Sequence, residues 1–158
     1  MSKPALTHVD AEGNARMVDV ADKPVTTRRA TAEGWVHLGA EALEQVRSRT
    51  AKKGDVLGVA QIAGIQAAKR TGELIPLCHP LPLDAVEVKL AVEGEAVHVV
   101  ATVTCTGRTG VEMEALTAVS VAALTIYDML KAVDRGIRVD GVRLLAKEGG
   151  RSGTWRAP

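Results

Sequence analysis

The 158 residues of this chain, 46% of them hydrophobic, are the usual size of one domain and suffice for a hydrophobic core. The 20 Lys and Arg residues nearly balance the 19 Asp and Glu residues, which argues against a general nucleic-acid or membrane-surface binder. Because the chain contains no Phe, one Tyr and two Trp, it also lacks the aromatic side chains on which single-stranded nucleic acids stack.

The cysteines and the N-terminus predict a cytoplasmic protein. Cys78 and Cys105 are too few for a disulfide framework, and we expect both thiols to be reduced. Residues 1–12 carry charges and have no apolar signal core, and no run of about eighteen apolar residues marks a membrane span.

The first half of the chain predicts an arm, one strand and two helices. Residues 1–22 are polar and irregular, which is typical of a flexible arm. β-Branched residues alternate over 25–38 and predict a strand that is interrupted at Gly34. Helical spacing predicts a helix over 40–49 and another over 55–71, the second with an aspartate as its cap or first-turn residue.

The second half predicts a rigid loop, a hairpin, a long helix and a last strand. Three prolines exclude a helix from 75–82 and stiffen its backbone. Alternation over 86–90 and 97–106, with a glycine turn between them, indicates a β-hairpin. An apolar helix is predicted over 111–133 and a strand over 137–147.

This order of elements predicts an α+β fold, with helices packed on one face of an antiparallel sheet. With the extra helix treated as an insertion, the order approximates the ferredoxin-like β-α-β-β-α-β pattern. We therefore divide the chain into an N-terminal arm (1–22), a single α+β domain (23–148) and a flexible Gly-rich tail (149–158).

The proline-framed loop presents a candidate catalytic histidine. A rigid loop fixes the position of His79 before a substrate arrives. The adjacent Cys78 cannot normally bind the same metal ion, and no CxxC, HxxxH or HExxH motif accompanies the pair, so we predict no metal site. Taken alone, His79 is more often a hydrogen-bonded structural residue, and both cysteines fit small buried positions.

The long helix carries charges only at its ends. Glu112 and Glu114 at its start suit the helix dipole, but Asp128 near its end opposes the dipole. Lys131, three residues later, offsets part of that cost, which makes the pair a candidate for acid–base chemistry. Glu114 and Asp128 share a face, yet 14 residues of helix separate them by roughly 21 Å. If both act in one pocket, we expect a neighbouring subunit to supply one of them.

Several cations lie beside glycines, a combination that suits phosphate groups. Lysines flank the predicted second helix, and Lys147 precedes the glycines of the tail. None of this forms a Walker A motif, and a charge cluster by itself is more often solvated surface. The cations are Lys52, Lys53, Lys69, Arg70, Lys147 and Arg151.

A series of segments, taken together in order, is far more specific than any one of them. They are residues 17–20, 53–56, 63–71, 75–81, 109–118, 122–129 and 144–147, followed by the Gly-Gly tail. On these segments the chain resembles the MoaC family of cyclic pyranopterin monophosphate synthases from about Leu6 to Gly153. It departs from the family at Leu130, where many members have Cys, and at Arg151, where Lys is common.

The resemblance implies an activity and an assembly. Members are lyases of molybdenum cofactor biosynthesis that rearrange 3′,8-cyclo-7,8-dihydroguanosine 5′-triphosphate, made from GTP, to cyclic pyranopterin monophosphate and release pyrophosphate. They have a ferredoxin-like fold and form hexamers, trimers of dimers, with active sites between subunits. The resemblance therefore implies a homo-oligomer with a small nucleotide-derived substrate and no nucleic-acid or membrane partner. We expect no cofactor, and leave open whether Mg²⁺ accompanies the triphosphate.

The resemblance also assigns residues, and the chemistry suits them. Ring opening and closure need protons delivered and removed in sequence, and cations stabilise the departing pyrophosphate. The catalytic residues are Asp128, Lys131 and Lys53, and the substrate-binding residues are Leu77, Cys78, His79, Met113, Glu114 and Lys147.

Two functions of other classes stay open from the residues alone. A non-catalytic nucleotide-sensing module would need the phosphate-binding cations but not Asp128. A metal-dependent phosphohydrolase would instead use His79 and nearby carboxylates as metal ligands.

Overall fold

A computed structural model describes residues 8–158 of the chain. The first seven residues of the predicted N-terminal arm lie outside the described residues. From residue 8 onward the arm contains one isolated β-bridge, between Val9 and Ala15. The elements that follow are β1 (Thr26–His37), α1 (Ala40–Ser48), α2 (Val56–Lys69), α3 (Thr71–Leu74), β2 (Ala85–Glu93), β3 (Ala96–Gly107), α4 (Glu112–Leu130), β4 (Arg138–Glu148) and β5 (Trp155–Arg156).

The strands form one antiparallel sheet in the order β2-β3-β1-β4-β5. Its first four strands have the order of a ferredoxin-like sheet, and α2 and α4 pack side by side against it. The predicted α+β class, with helices on one face of an antiparallel sheet, is confirmed.

The core is built from small aliphatic side chains, as the composition requires. Alternate residues of β1, among them Ala30, Ala32 and Val36, are buried on the face beneath α4. The two long helices approach closely at Gly64, where a Cβ atom would lie 3.0 Å from the carbonyl oxygen of Ala118. The long helix α4 is therefore the central element of the helical layer, in contact with β1, β3 and β4.

The structure differs from the prediction at Gly34 and in the C-terminal tail, and the helix predicted over 55–71 ends at Lys69 and is followed by the short helix α3. The strand β1 continues through Gly34, where an interruption was predicted, and only its register with β4 shifts between Glu33 and Trp35. A Cβ atom at Gly34 would lie 2.7 Å from Val119 Cγ1, so the glycine makes room for α4 rather than ending the strand. The segment predicted as a flexible tail contains β5, which pairs with the end of β4.

The helix α4 is long and apolar enough to cross a membrane by length and composition. More than half of its apolar window is buried against the sheet, which is typical of the core helix of a soluble protein.

Candidate active site

The end of α4 carries a cluster of one carboxylate and two ammonium groups. Lys131 Nζ lies 2.7 Å from Asp128 Oδ1, and Lys53 Nζ lies 3.1 Å from Asp128 Oδ2. Lys53 also donates to the main-chain oxygen of Asp128 at 2.8 Å, so it caps the helix end as well. The structure thus brings together the three residues assigned to catalysis by resemblance.

These cations reverse the unfavourable effect of the helix dipole on Asp128. A hydrogen bond from Lys131, and a smaller contribution from the hydrogen bond of Lys53, hold the pKa of the Asp128 carboxyl below its usual value. The hydrogen bond to the Asp128 carboxylate in turn raises the pKa of Lys131. Since all three side chains are about half exposed, their ion pairs contribute little to stability. The cluster presents one acceptor and two donors to solvent, which suits proton transfer.

The position of Lys53 follows from the turn that begins α2. Gly54 has a φ of +97°, a conformation that side chains rarely adopt, and it closes the turn by donating to Ala51 O. Asp55 then caps α2, as predicted, by accepting from the main-chain N–H of Gly58 at 3.1 Å. Because α2 packs beside α4, this turn lies at the end of α4.

A second candidate region lies at the opposite end of α4, in a cavity of about 300 Å³. The proline-framed loop forms one wall, and the first turn of α4 forms another. A Cβ atom at Gly72 would lie 3.1 Å from Pro80 Cα, so glycine allows the loop to pack against α3. The cavity gathers five of the six residues assigned to substrate binding: Leu77, Cys78, His79, Met113 and Glu114.

Glu114 is the most perturbed acid of this region. Its side chain is buried, with 4% of the residue exposed, and this burial raises the pKa of Glu114 to about 7. Burial and the nearby Glu114 charge also raise the pKa of Cys78 and of Cys105. Glu114 is thus able to accept or donate a proton near neutral pH, whereas Cys78 stays a neutral thiol.

The sixth residue, Lys147, lies in an adjoining cavity of about 250 Å³ that is rich in cations. Its Nζ atom lies 3.6 Å from Glu112 Oε1 and forms a hydrogen bond with Ser152. Lys23 and Glu112 line both cavities, so the two cavities are adjacent. The cations of this second cavity are Lys23, Arg28, Arg108, Lys147 and Arg151.

The sequence analysis did not include Lys23, Arg28 or Arg108 among the site residues. Arg28 lies on the buried face of β1 and is 8% exposed, with its guanidinium donating to the carbonyls of Gly107 and Arg108 at 3.3 Å. An arginine at an inward-facing position of a strand was the signal that could have identified it, because such a charge needs partners.

The two regions remain apart within one chain. Asp128 and Glu114 are separated by most of the length of α4, roughly 21 Å for 14 residues. A single protomer therefore does not bring the Asp128 cluster to the cavity that contains His79. Within residues 8–158, no group of three or more His, Cys, Asp or Glu side chains is placed to bind a metal ion.

Comparisons with known proteins identify the family of the chain. Residues 17–150 match the model of the MoaC family. Three proteins, each named cyclic pyranopterin monophosphate synthase, align with 96% of this chain. That of Thermomicrobium roseum is 62% identical, with 92% of its length covered. Those of Novosphingobium aromaticivorans and Cereibacter sphaeroides are each 59% identical, with 97% of their length covered.

Among solved structures, the de novo designed protein Foldit4 aligns with 78% of this chain and 99% of its own. Its TM-score of 0.32 and identity of 13% are too low to bear on the fold. The family model and the three relatives, which cover nearly the whole chain, show that the chain belongs to the MoaC family.

Proposed function

We propose that the protein is a cyclic pyranopterin monophosphate synthase, a lyase of molybdenum cofactor biosynthesis. It rearranges 3′,8-cyclo-7,8-dihydroguanosine 5′-triphosphate to cyclic pyranopterin monophosphate and releases pyrophosphate. The observation that carries this proposal is the 59–62% identity, over 96% of the chain, to three proteins of that name. The charged residues of the two regions supply the groups that the reaction needs.

Proton transfer is assigned to the Asp128 cluster together with Glu114. The two ammonium groups that face Asp128 can protonate the nitrogens and oxygens released when the ring opens. The Asp128 carboxylate can hold or return those protons. Glu114, with its pKa near 7, can serve as a further acid or base on the cavity side. Neither the sensing module nor the phosphohydrolase explains why the cluster at Asp128 contains both donors and an acceptor.

The cation-rich cavity is assigned to the triphosphate. Five cationic side chains line a space of about 250 Å³, beside the cavity that holds His79. Forming the cyclic phosphate breaks the bond to the pyrophosphate group, and cations at that position stabilise the negative charge that develops there. Lys23 lines both cavities, and Lys147 approaches their shared wall through its contact with Glu112.

We further propose that the active site is completed in a homo-oligomer, a hexamer built as a trimer of dimers. The hexamer is what the family resemblance implies, whereas geometry supports only the sharing of each site between two chains. The catalytic cluster and the substrate cavity lie at opposite ends of α4, too far apart for one small molecule to contact both. A two-fold axis that sets two such helices antiparallel would bring the start of one beside the end of the other. We place this assembly in the cytoplasm.

The function is tested by incubating the purified protein with the cyclised GTP intermediate. Pyrophosphate and cyclic pyranopterin monophosphate should appear in equal amounts, and Asp128→Asn should abolish both. Pyrophosphate release that persists in Asp128→Asn would instead indicate a phosphohydrolase. A wild-type protein that binds the substrate but forms no product would indicate a sensing module. Elemental analysis of the active protein tests the proposal that it holds no metal of its own.

A further inference from the structure

A cluster of charged side chains surrounds a buried carboxylate on the sheet face that points away from α4. The Glu33 carboxylate accepts a hydrogen bond from Arg143 Nε at 2.8 Å and lies 2.8 Å from His98 Nε2. The His98 ring stacks on Trp35 with 4.0 Å between ring centroids and 8° between planes. We call Glu33, His98 and Arg143 the Glu33 cluster. It joins β1, β3 and β4 across the sheet.

The cluster is held together by its charges. Glu33 is only 8% exposed, although it lies on the face away from the helices. Burial by itself would raise the pKa of Glu33, but the hydrogen bonds from Arg143 and His98 outweigh burial and hold the pKa below its usual value. A buried carboxylate that keeps its charge needs these partners in place. The cluster therefore fixes Arg143, and with it β4, opposite Glu33.

The register of β4 changes beyond this point, and the change determines where Lys147 lies. Arg143 is paired with Glu33 on the face away from the helices. Side chains alternate along a strand, so Lys147, four residues later, should lie on that same face. One extra residue, Leu145, enters β4 between them and reverses the alternation. The successive pairs are Glu33 with Arg143, Ala32 with Leu144, Thr31 with Ala146 and Ala30 with Lys147.

This bulge is what turns Lys147 toward the helices. Ala30 belongs to the buried face of β1, and its partner Lys147 accordingly reaches Glu112 at the start of α4. On the other side of the cluster, the register between β1 and β4 shifts a second time, between Glu33 and Trp35. This shift lies opposite Gly141, whose φ is +61°. The Glu33–Arg143 pair thus lies between two irregularities. If β4 slipped by one residue, Lys147 would turn to the opposite face of the sheet.

We propose that the Glu33 cluster is a positioning element: it fixes the register of β4 so that the bulge at Leu145 delivers Lys147 into the cation-rich cavity. Its members do not touch the substrate. The value of this placement for phosphate binding rests on the proposed function, but the placement of Lys147 itself does not.

The placement is tested by lysine acetylation in the absence of substrate, with the rate at each lysine measured by mass spectrometry. Glu33→Gln removes the charge with little change of shape. Arg143→Gln is a second variant: it removes the cation at a side chain that is 57% exposed and leaves an amide that can still donate a hydrogen bond to Glu33. Glu87→Gln is the matched control, since Glu87 pairs with Lys89 on the same sheet face but lies in β2.

The expected result is a faster reaction at Lys147 alone. Its side chain is 24% exposed, against 69% for Lys89 on the face away from the helices, so a turn to that face should raise its rate measurably. Lys131 serves as the internal reference, because a variant that merely loosened the whole fold would raise every lysine together. The control variant should leave Lys147 unchanged.

A second measurement connects the placement to the reaction. With the triphosphate substrate, both variants should raise KM several-fold while kcat stays close to that of the wild type. Unchanged acetylation of Lys147 in both variants overturns the positioning role. A faster acetylation with an unchanged KM would confirm the placement of Lys147 and overturn its value for phosphate binding. If the protein makes no product at all, the proposed function fails, but the acetylation result still decides where the cluster places Lys147.

Discussion

Replacing Glu114 with Gln should make the protein more stable at alkaline pH, although the change removes a proposed functional group. In the folded chain the pKa of Glu114 is raised from 4.5 to about 7 by burial. Above about pH 4.5 the unfolded chain loses this proton while the folded chain retains it, so stability falls as the pH rises toward 7. At 1.36 kcal/mol per pKa unit, the full loss is on the order of 3 kcal/mol.

Glutamine has nearly the same shape and no charge to bury, so Glu114→Gln should escape this loss. Urea unfolding at a fixed protein concentration should show the variant and the wild type equal near pH 4 and the variant more stable near pH 8, by on the order of 3 kcal/mol. Glu112→Gln, in the same turn but with a side chain that is 32% exposed, is the control and should not reproduce the gain. Parallel pH profiles for wild type and Glu114→Gln would refute the argument from burial.

Three other predictions concern the charged residues around the two helices. Asp128→Ala and Lys131→Ala should each abolish product formation. The melting temperature should stay nearly unchanged, because both side chains are more than half exposed. Near-normal turnover in either variant would remove that residue from the mechanism. Lys147→Ala should weaken binding of the triphosphate more than binding of its dephosphorylated analogue in calorimetry, and equal losses would show that this lysine does not contact phosphate. Asp55→Ala should cost about 1 kcal/mol in urea unfolding through loss of the helix cap, whereas Asp55→Asn, which keeps a capping oxygen, should cost much less.

Local chemistry was sufficient to predict most of the fold. Alternation along the hairpin, the prolines of the loop and the Asp55 cap each act over a few residues, so their outcome is visible in the sequence. Gly34 shows the limit of such reasoning. A glycine inside a strand pattern indicates either a break or a close approach, and only the position of Val119 on α4 decides between them.

The site required information from distant parts of the chain. The dipole argument identified Asp128 and Lys131, but the contact of Asp128 with Lys53 spans 75 residues and depends on how α2 packs against α4. Glu114 looked like an ordinary acid at a helix start, and its burial depends on the loop that packs over it. The bulge that turns Lys147 toward the helices is likewise set by pairing between strands, which no local pattern revealed.

The proposal that two chains share each active site is the central claim of this account, and subunit complementation tests it most directly. Glu114→Ala protein and Asp128→Ala protein, each inactive alone, would be mixed under conditions that exchange subunits, with exchange verified by native mass spectrometry. A mixed dimer then holds one site with both lesions and one site with neither. Random exchange of equal amounts should therefore restore about a quarter of the wild-type activity.

The control for this measurement pairs Asp128→Ala with Lys131→Ala. Both lesions lie at the same end of α4, so every site of a mixed dimer keeps one lesion and no activity should return. Recovery to about a quarter with Glu114→Ala and Asp128→Ala, but none with the control pair, is the predicted result. Verified exchange with activity that stays at the level of the single variants would contradict the shared site.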